Sequence, residues 1–141
     1  MKKLKKQNWS YDPWFTKYYV NEISDEFLLF GTKIKPIPVY HGMLPVLGYR
    51  INDFAYLTDV NNIPLKAQDS LKGLKVLVLG VLREKPHSTH FCVEEALAVV
   101  ENLRPEKIYF THLGHMLEHE DLEKRLPEHI RLAYDGLILQ I

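Results

Sequence analysis

The chain reads as an α/β (α+β) domain with mixed strand directions, on three observations. LKVLVLGVL is a continuous apolar run, as expected of a strand buried on both faces. VEEALAVVENL follows at helical period and KIYFT follows as a second strand, so the order predicts a right-handed βαβ crossover with a parallel pair. Upstream, VLGYRI, then Asn52-Asp53, then FAYLT has the form of a β-hairpin with a two-residue connection, which adds antiparallel pairing.

Taken in order, residues 1–17 form a poorly defined segment. WSYDPWFTKYY is aromatic, carries a turn signal at Asp12-Pro13 and has no clean period. From Tyr18 to Ile141 the pattern is that of a partial domain. YYVNEI and FLLFGTKIKPIPVY are β-branched and aromatic runs broken at Ser24-Asp25 and Gly31. In the helical segment Val93, Ala96, Leu97 and Val100 share one face, with Glu94, Glu95 and Glu101 early or outward. IRLAYDGLILQI predicts a closing hairpin around Asp135-Gly136.

Composition narrows the function. The 141 residues suffice for one core, with 46% hydrophobic and 26% charged residues. The formal net charge of zero argues against broad electrostatic binding to nucleic acid or to an anionic membrane. Lys2, Lys3, Lys5 and Lys6 are followed by Asn8, Trp9 and Ser10 rather than by an apolar leader core. No run reaches the roughly 18 apolar residues of a membrane span. The one cysteine, Cys92, has no internal partner for a disulfide, and a cytoplasmic location is the expectation.

The polar chemistry falls at strand ends. PIPVY runs into His41, FAYLT into Asp59, VLVLGVL into a loop carrying His87 and His90, and KIYFT into His112. Strand ends and the loops after them are where sheet enzymes assemble sites, and imidazole and carboxylate are the ligands of zinc, manganese and iron. Each residue also has a plainer reading. His41 before a glycine suits a turn, and Asp59 suits a cap. His87 after Pro86 suits a solvated loop, and His90 suits the amino end of the helix. His115 and His119, four apart, would share a helical face. HEDLE fails H-E-x-x-H because Glu123 stands at the second histidine position. His129 suits the surface.

Three stretches carry a resemblance: VYHGMLPVLGYRI-NDFAYLTDVNNIP, PHSTHFCVEEALAVVENLRPEKIYFTHLGHMLEH and LAYDGLILQI. They resemble the C-terminal half of a metallo-β-lactamase-fold hydrolase, and among those the cyclic-phosphate phosphodiesterases of the carbon–phosphorus lyase pathway. The resemblance spans Tyr18 to Ile141. It implies half of an αββα sandwich, and a site for two divalent metals, zinc or manganese, at one edge. By resemblance His41 completes the first metal's ligands, Asp59 bridges both metals and His112 binds the second. His90 contacts the scissile phosphate and assists the leaving group, and His115 lies behind the ligands or beside the substrate. Two metals about 3.5–4 Å apart polarise a phosphoryl oxygen, and a histidine near neutral pKa protonates a departing alkoxide.

One departure matters. The family's main metal motif, H-x-H-x-D-H, has no counterpart; HSTH and HLGH are both H-x-x-H. With about four ligands needed per metal, His41, Asp59 and His112 give each metal two. The isolated chain is therefore expected to bind metal partially or not at all, and to be inactive or nearly so. Three arrangements fit: a fragment of a longer phosphodiesterase, a half that pairs with a separate N-terminal half, or a non-catalytic remnant that dimerises or binds a partner through an uncovered sheet face.

Overall fold

The computed structural model describes residues 6–8, 19–23 and 25–141. The turn expected at Asp12-Pro13 and half of the Ser24-Asp25 break lie outside them. Two short strands, β1 (Lys6–Asn8) and β2 (Tyr19–Asn21), pair antiparallel by themselves. The main sheet has seven strands in sequence order: β3 (Phe27–Leu29), β4 (Thr32–His41), β5 (Leu44–Ile51), β6 (Phe54–Leu57), β7 (Val76–Gly80), β8 (Lys107–Thr111) and β9 (Ile130–Leu132).

Strands β3 to β6 are antiparallel neighbours and β6 to β9 are parallel. Short turns make the first set, with Asn52 at φ 51° closing the two-residue connection of β5 to β6. Helices make the second set: α1 (Leu65–Asp69), α2 (Val93–Leu103) and α3 (His119–Arg125) each join one parallel pair, because parallel strands need a crossover. Two antiparallel steps restore direction, so β4, β6, β7 and β8 all run the same way. Their carboxyl ends meet at one edge of the sheet.

The register sorts side chains into two faces. Leu57, Leu79, Phe110 and Leu132 form one cross-strand row, and Ala55, Leu77, Ile108 and Ile130 form the next. All eight are buried, and the helix residues Ala67, Val93, Ala96, Val100, Leu103 and Leu122 join the same core. Full burial of each large side chain there contributes roughly 1.5–3 kcal/mol. The alternate residues make the second face. Tyr49, Tyr56, Val78 and Tyr109 lie in register across four strands. Tyr56 is 40% exposed, and Tyr40 and Leu47 on the neighbouring strands are similar. Among the described residues the core helices all pack on the first face, and on the second Tyr56 is exposed, Tyr49 and Tyr109 are half-buried and Val78 between them is buried.

Helix α2 matches its sequence pattern, with Val93, Ala96 and Val100 buried and Leu97 packed at the margin. Glu95 accepts the Cys92 amide at 2.9 Å and closes its first turn, and Arg104 ends it in the left-handed region. The expected C-terminal hairpin does not form. A turn closes at Asp135-Gly136, with the Leu137 amide donating to Tyr134, but no strand returns. Strand β9 is three residues long and stops before the turn begins, so a returning segment has almost no ladder to join. Instead Ile138 and Ile141 are exposed.

Candidate metal centre

The shared strand direction puts four side chains at one edge. His41 is the last residue of β4, Asp59 lies two residues past β6, His90 lies in the loop after β7 and His112 directly follows β8. Their working atoms converge. His90 Nε2 is 3.2 Å from His41 Nε2 and 3.3 Å from Asp59 Oδ1. His112 Nε2 is 3.6 Å from the same Asp59 oxygen. The His90 ring stacks on His112 at 4.9 Å and meets His41 edge-on at 4.6 Å.

Backbone and side chains both hold this arrangement. Asp59 and His112 sit at φ 50° and 60°, in the left-handed region that costs a non-glycine residue roughly 1–3 kcal/mol. Such backbone survives only where the surroundings impose it. Gly114 supplies part of that imposition: its amide donates to the Leu82 carbonyl at 2.8 Å, and a Cβ there would stand 2.7 Å from the same oxygen. Asn61 ties two loops together. Its Oδ1 accepts the Gly42 amide at 2.8 Å and its Nδ2 donates to Ser88 at 2.9 Å. The Tyr40 amide donates to Asn62 and the Asn61 amide to Tyr40, which adds a backbone bridge beside His41.

His90 is more enclosed than two of its partners, its side chain 12% exposed against 40% for His112 and 49% for Asp59. Burial pushes its pKa below the ordinary histidine value, the neighbouring His112 and His41 push the same way, and Asp59 opposes them. Asp59 serves here as a partner of two imidazoles rather than as a cap.

The plainer readings of two other histidines are corrected. His87 is not simply solvated: its Nδ1 contacts Thr89 Oγ1 at 3.2 Å and His90 Nδ1 at 3.3 Å. His119 does not share a helical face with His115, because α3 begins at His119 and His115 lies outside it. His119 Nε2 is shielded from solvent without a hydrogen-bond partner, and its Nδ1 faces Glu123. His115 is exposed, and among the described residues no hydrogen bond or ring contact joins it to the cluster. His129 is exposed as expected. Sequence reasoning missed Asn61 and Thr89; the only signal for them was their place beside the strand-end residues.

The donor set suits a cation. One atom each from His41, Asp59 and His90 lie within 4.8 Å of one another, a nitrogen-rich set with one carboxylate. A groove of about 390 Å³ between β4 and α1, lined by Lys35, Pro36, Pro64 and Ala67, lies apart from these residues.

Residues 17–113 match the family described as Beta-lactamase superfamily domain. The chain belongs to the beta-lactamase superfamily. Its fold is that of the metallo-β-lactamase proteins. A solved diphosphatase from the PhnP family is 43% identical, with a TM-score of 0.81 over 83% of this chain and 46% of that one. Human tRNase Z, short form, is 15% identical with a TM-score of 0.62, over 83% of this chain and 47% of that one, and shares the fold. A protein named octanoyltransferase from Porphyromonas gingivalis (strain ATCC BAA-308 / W83) is 34% identical over 113 residues, 79% of this chain and 23% of that one. This superfamily member thus spans about half of the diphosphatase and under a quarter of the P. gingivalis protein. No described helix is long and apolar enough to cross a membrane.

Proposed function

We propose that the chain is the C-terminal, ligand-bearing part of a dinuclear metal-dependent phosphodiesterase acting on a small phosphodiester such as a cyclic sugar phosphate. The observation that carries this is the convergence of His41, Asp59, His90 and His112 on one sheet edge, in a chain 43% identical to a PhnP-family diphosphatase. His41 and Asp59 would hold one divalent ion, zinc or manganese, and Asp59 and His112 the other. When bound, such ions supply Lewis acidity to a phosphoryl oxygen and acidify water. His90 Nε2, turned into the cluster, would move the proton to the leaving oxygen. Its enclosure keeps that atom from bulk water, and the loop bond from Asn61 to Ser88 keeps it in place. His115 would face the substrate from the rim. A cytoplasmic location belongs to the same reading.

Two ligands per ion fall short of four, so the reading includes a second half that brings the others. The open face of Tyr49, Tyr56 and Tyr109 is where that half would pack. The test is activity on a bis-aryl phosphodiester with Mn²⁺ or Zn²⁺. The purified chain alone is expected to turn over little. Mixed with the N-terminal half of the PhnP-family diphosphatase, it is expected to gain activity that His90→Ala removes. Robust turnover by the chain alone overturns the need for a second half; no turnover in the mixture overturns the phosphodiesterase reading. The second reading, a non-catalytic half that dimerises through the aromatic face, predicts a dimer in sedimentation and no turnover in either sample.

A further inference from the structure

Strand β4 is ten residues long, but its two neighbours cover it unequally. β5 pairs with residues 35–41, whereas β3 pairs only with Thr32, Lys33 and Ile34. Among the described residues no strand lies against the outer side of residues 35–39. An uncovered strand edge of this length offers N–H and C=O groups to a further strand.

Which groups point outward follows from the hairpin. His41 and Leu44 flank the two-residue turn between β4 and β5, so they form a hydrogen-bonded pair, and the odd-numbered residues of β4 turn their backbone groups toward β5. The even-numbered residues turn theirs outward. Tyr40 has this phase: its amide donates to the Asn62 carbonyl at 2.9 Å, and its carbonyl accepts the Asn61 amide at 2.9 Å. At the other end Thr32 and Ile34 meet Leu29 and Phe27 of β3. Two outward positions remain between them, and both are proline, Pro36 and Pro38. Neither has an N–H. Residues 35–39 therefore present outward carbonyls and no outward donor. The prolines are tolerated inside a strand because β5 takes no hydrogen bond from their nitrogens. The β3 ladder stops at Ile34 because the next outward position cannot donate.

We propose that Pro36 and Pro38 close the β4 edge to strand addition by a second copy of the chain. Two such edges laid side by side would set carbonyl against carbonyl. The end strands β3 and β9 are three residues each and offer little ladder of their own. Association by stacking on the face that carries Tyr56 is untouched by this device. The proposal stands apart from the phosphodiesterase reading.

The test restores the missing donors. Pro36→Val and Pro38→Val are made singly and together in the full chain, and again in the full chain carrying Tyr56→Glu, where a charge opposes stacking on the other face. Sedimentation velocity over a concentration series is read against each parent. The double variant is expected to shift to dimers or larger species as concentration rises, in both backgrounds. Pro38→Val alone is expected to shift less. Pro38 is exposed and Pro36 buried, so Pro38→Val keeps an unfolding midpoint near the parent's and decides the matter if the double variant fails to fold. Amide hydrogen exchange locates the contact. The amides introduced at positions 36 and 38 are expected to exchange freely in dilute solution and to become protected on association. Substituted chains that sediment like their parents at every concentration overturn the proposal. So does association that Tyr56→Glu abolishes, and so do introduced amides already protected in the dilute monomer. None of these readouts involves metal or substrate, so failure of the phosphodiesterase reading leaves the result standing.

Discussion

The side chain of Asn61 holds the amide of Gly42 at 2.8 Å, and through the same amide group it also holds the loop of Ser88. The strand end that carries His41 and the loop that carries His90 are thus coupled through one residue. Asn61→Ala should cost roughly 1–2 kcal/mol in urea unfolding, since it removes one hydrogen bond to a part-buried amide and one to an exposed carbonyl. Asn61→Asp keeps the acceptor and loses the donor, so its midpoint should fall between the two.

Asp59 meets both His90 and His112 while holding a left-handed backbone. Asn tolerates that backbone and keeps the shape. Asp59→Asn should therefore leave unfolding within about 1 kcal/mol of the parent. It should weaken Mn²⁺ or Zn²⁺ uptake, read by calorimetry, by more than the roughly 10–100-fold that outer partners of metal ligands cost.

A Cβ at Gly114 meets the Leu82 carbonyl oxygen, a backbone atom with little freedom to move. Gly114→Ala should destabilise the fold by about 1–3 kcal/mol. The displaced loop begins two residues after His112, so the same variant should take up metal less well, in contrast to an alanine at the more open Gly73.

Cys92 is buried at the start of α2, and burial raises its thiol pKa above the ordinary value. The sign is that of a group raised in the folded state. Its contribution to stability is whole below the unfolded thiol's pKa and is lost as pH rises through the folded one. Iodoacetamide should label Cys92 at pH 8 far more slowly in the native chain than in urea, and equal rates would contradict its burial.

The open face carries Tyr49, Tyr56 and Tyr109 in one register row. Tyr56→Glu sets a charge at its centre without touching the core on the other side. It should abolish complementation by a separate N-terminal half while leaving the unfolding midpoint nearly unchanged, as surface changes do within about 0.5 kcal/mol.

The sequence disclosed the parts that repeat a period. Val76–Gly80, Val93–Leu103 and Lys107–Thr111 declare themselves by apolar runs and helical spacing. The strand-end residues His41, Asp59, His90 and His112 followed from those elements. What stayed hidden depends on contacts between distant loops. His87 looked solvated because nothing local says that Thr89 will turn it toward His90. Asn61 has no period at all. The left-handed backbone at Asp59 and His112 is invisible because neither residue is glycine. The closing hairpin misled because Asp-Gly gives the turn but says nothing of whether a strand stands ready beside it.

The comb of parallel strand tips has a consequence for how the chain tolerates changes of length. Each tip carries one polar side chain, and each strand is locked to its neighbours by register. A single residue inserted within β6, β7 or β8 would shift its tip by about 3.3 Å and turn its side chains to the opposite face. The same insertion at the Gly73 turn, where the backbone is uncrowded, would move no tip. Insertions and deletions among relatives should therefore gather in the helix-side connections and spare the strands, whatever reaction each protein performs.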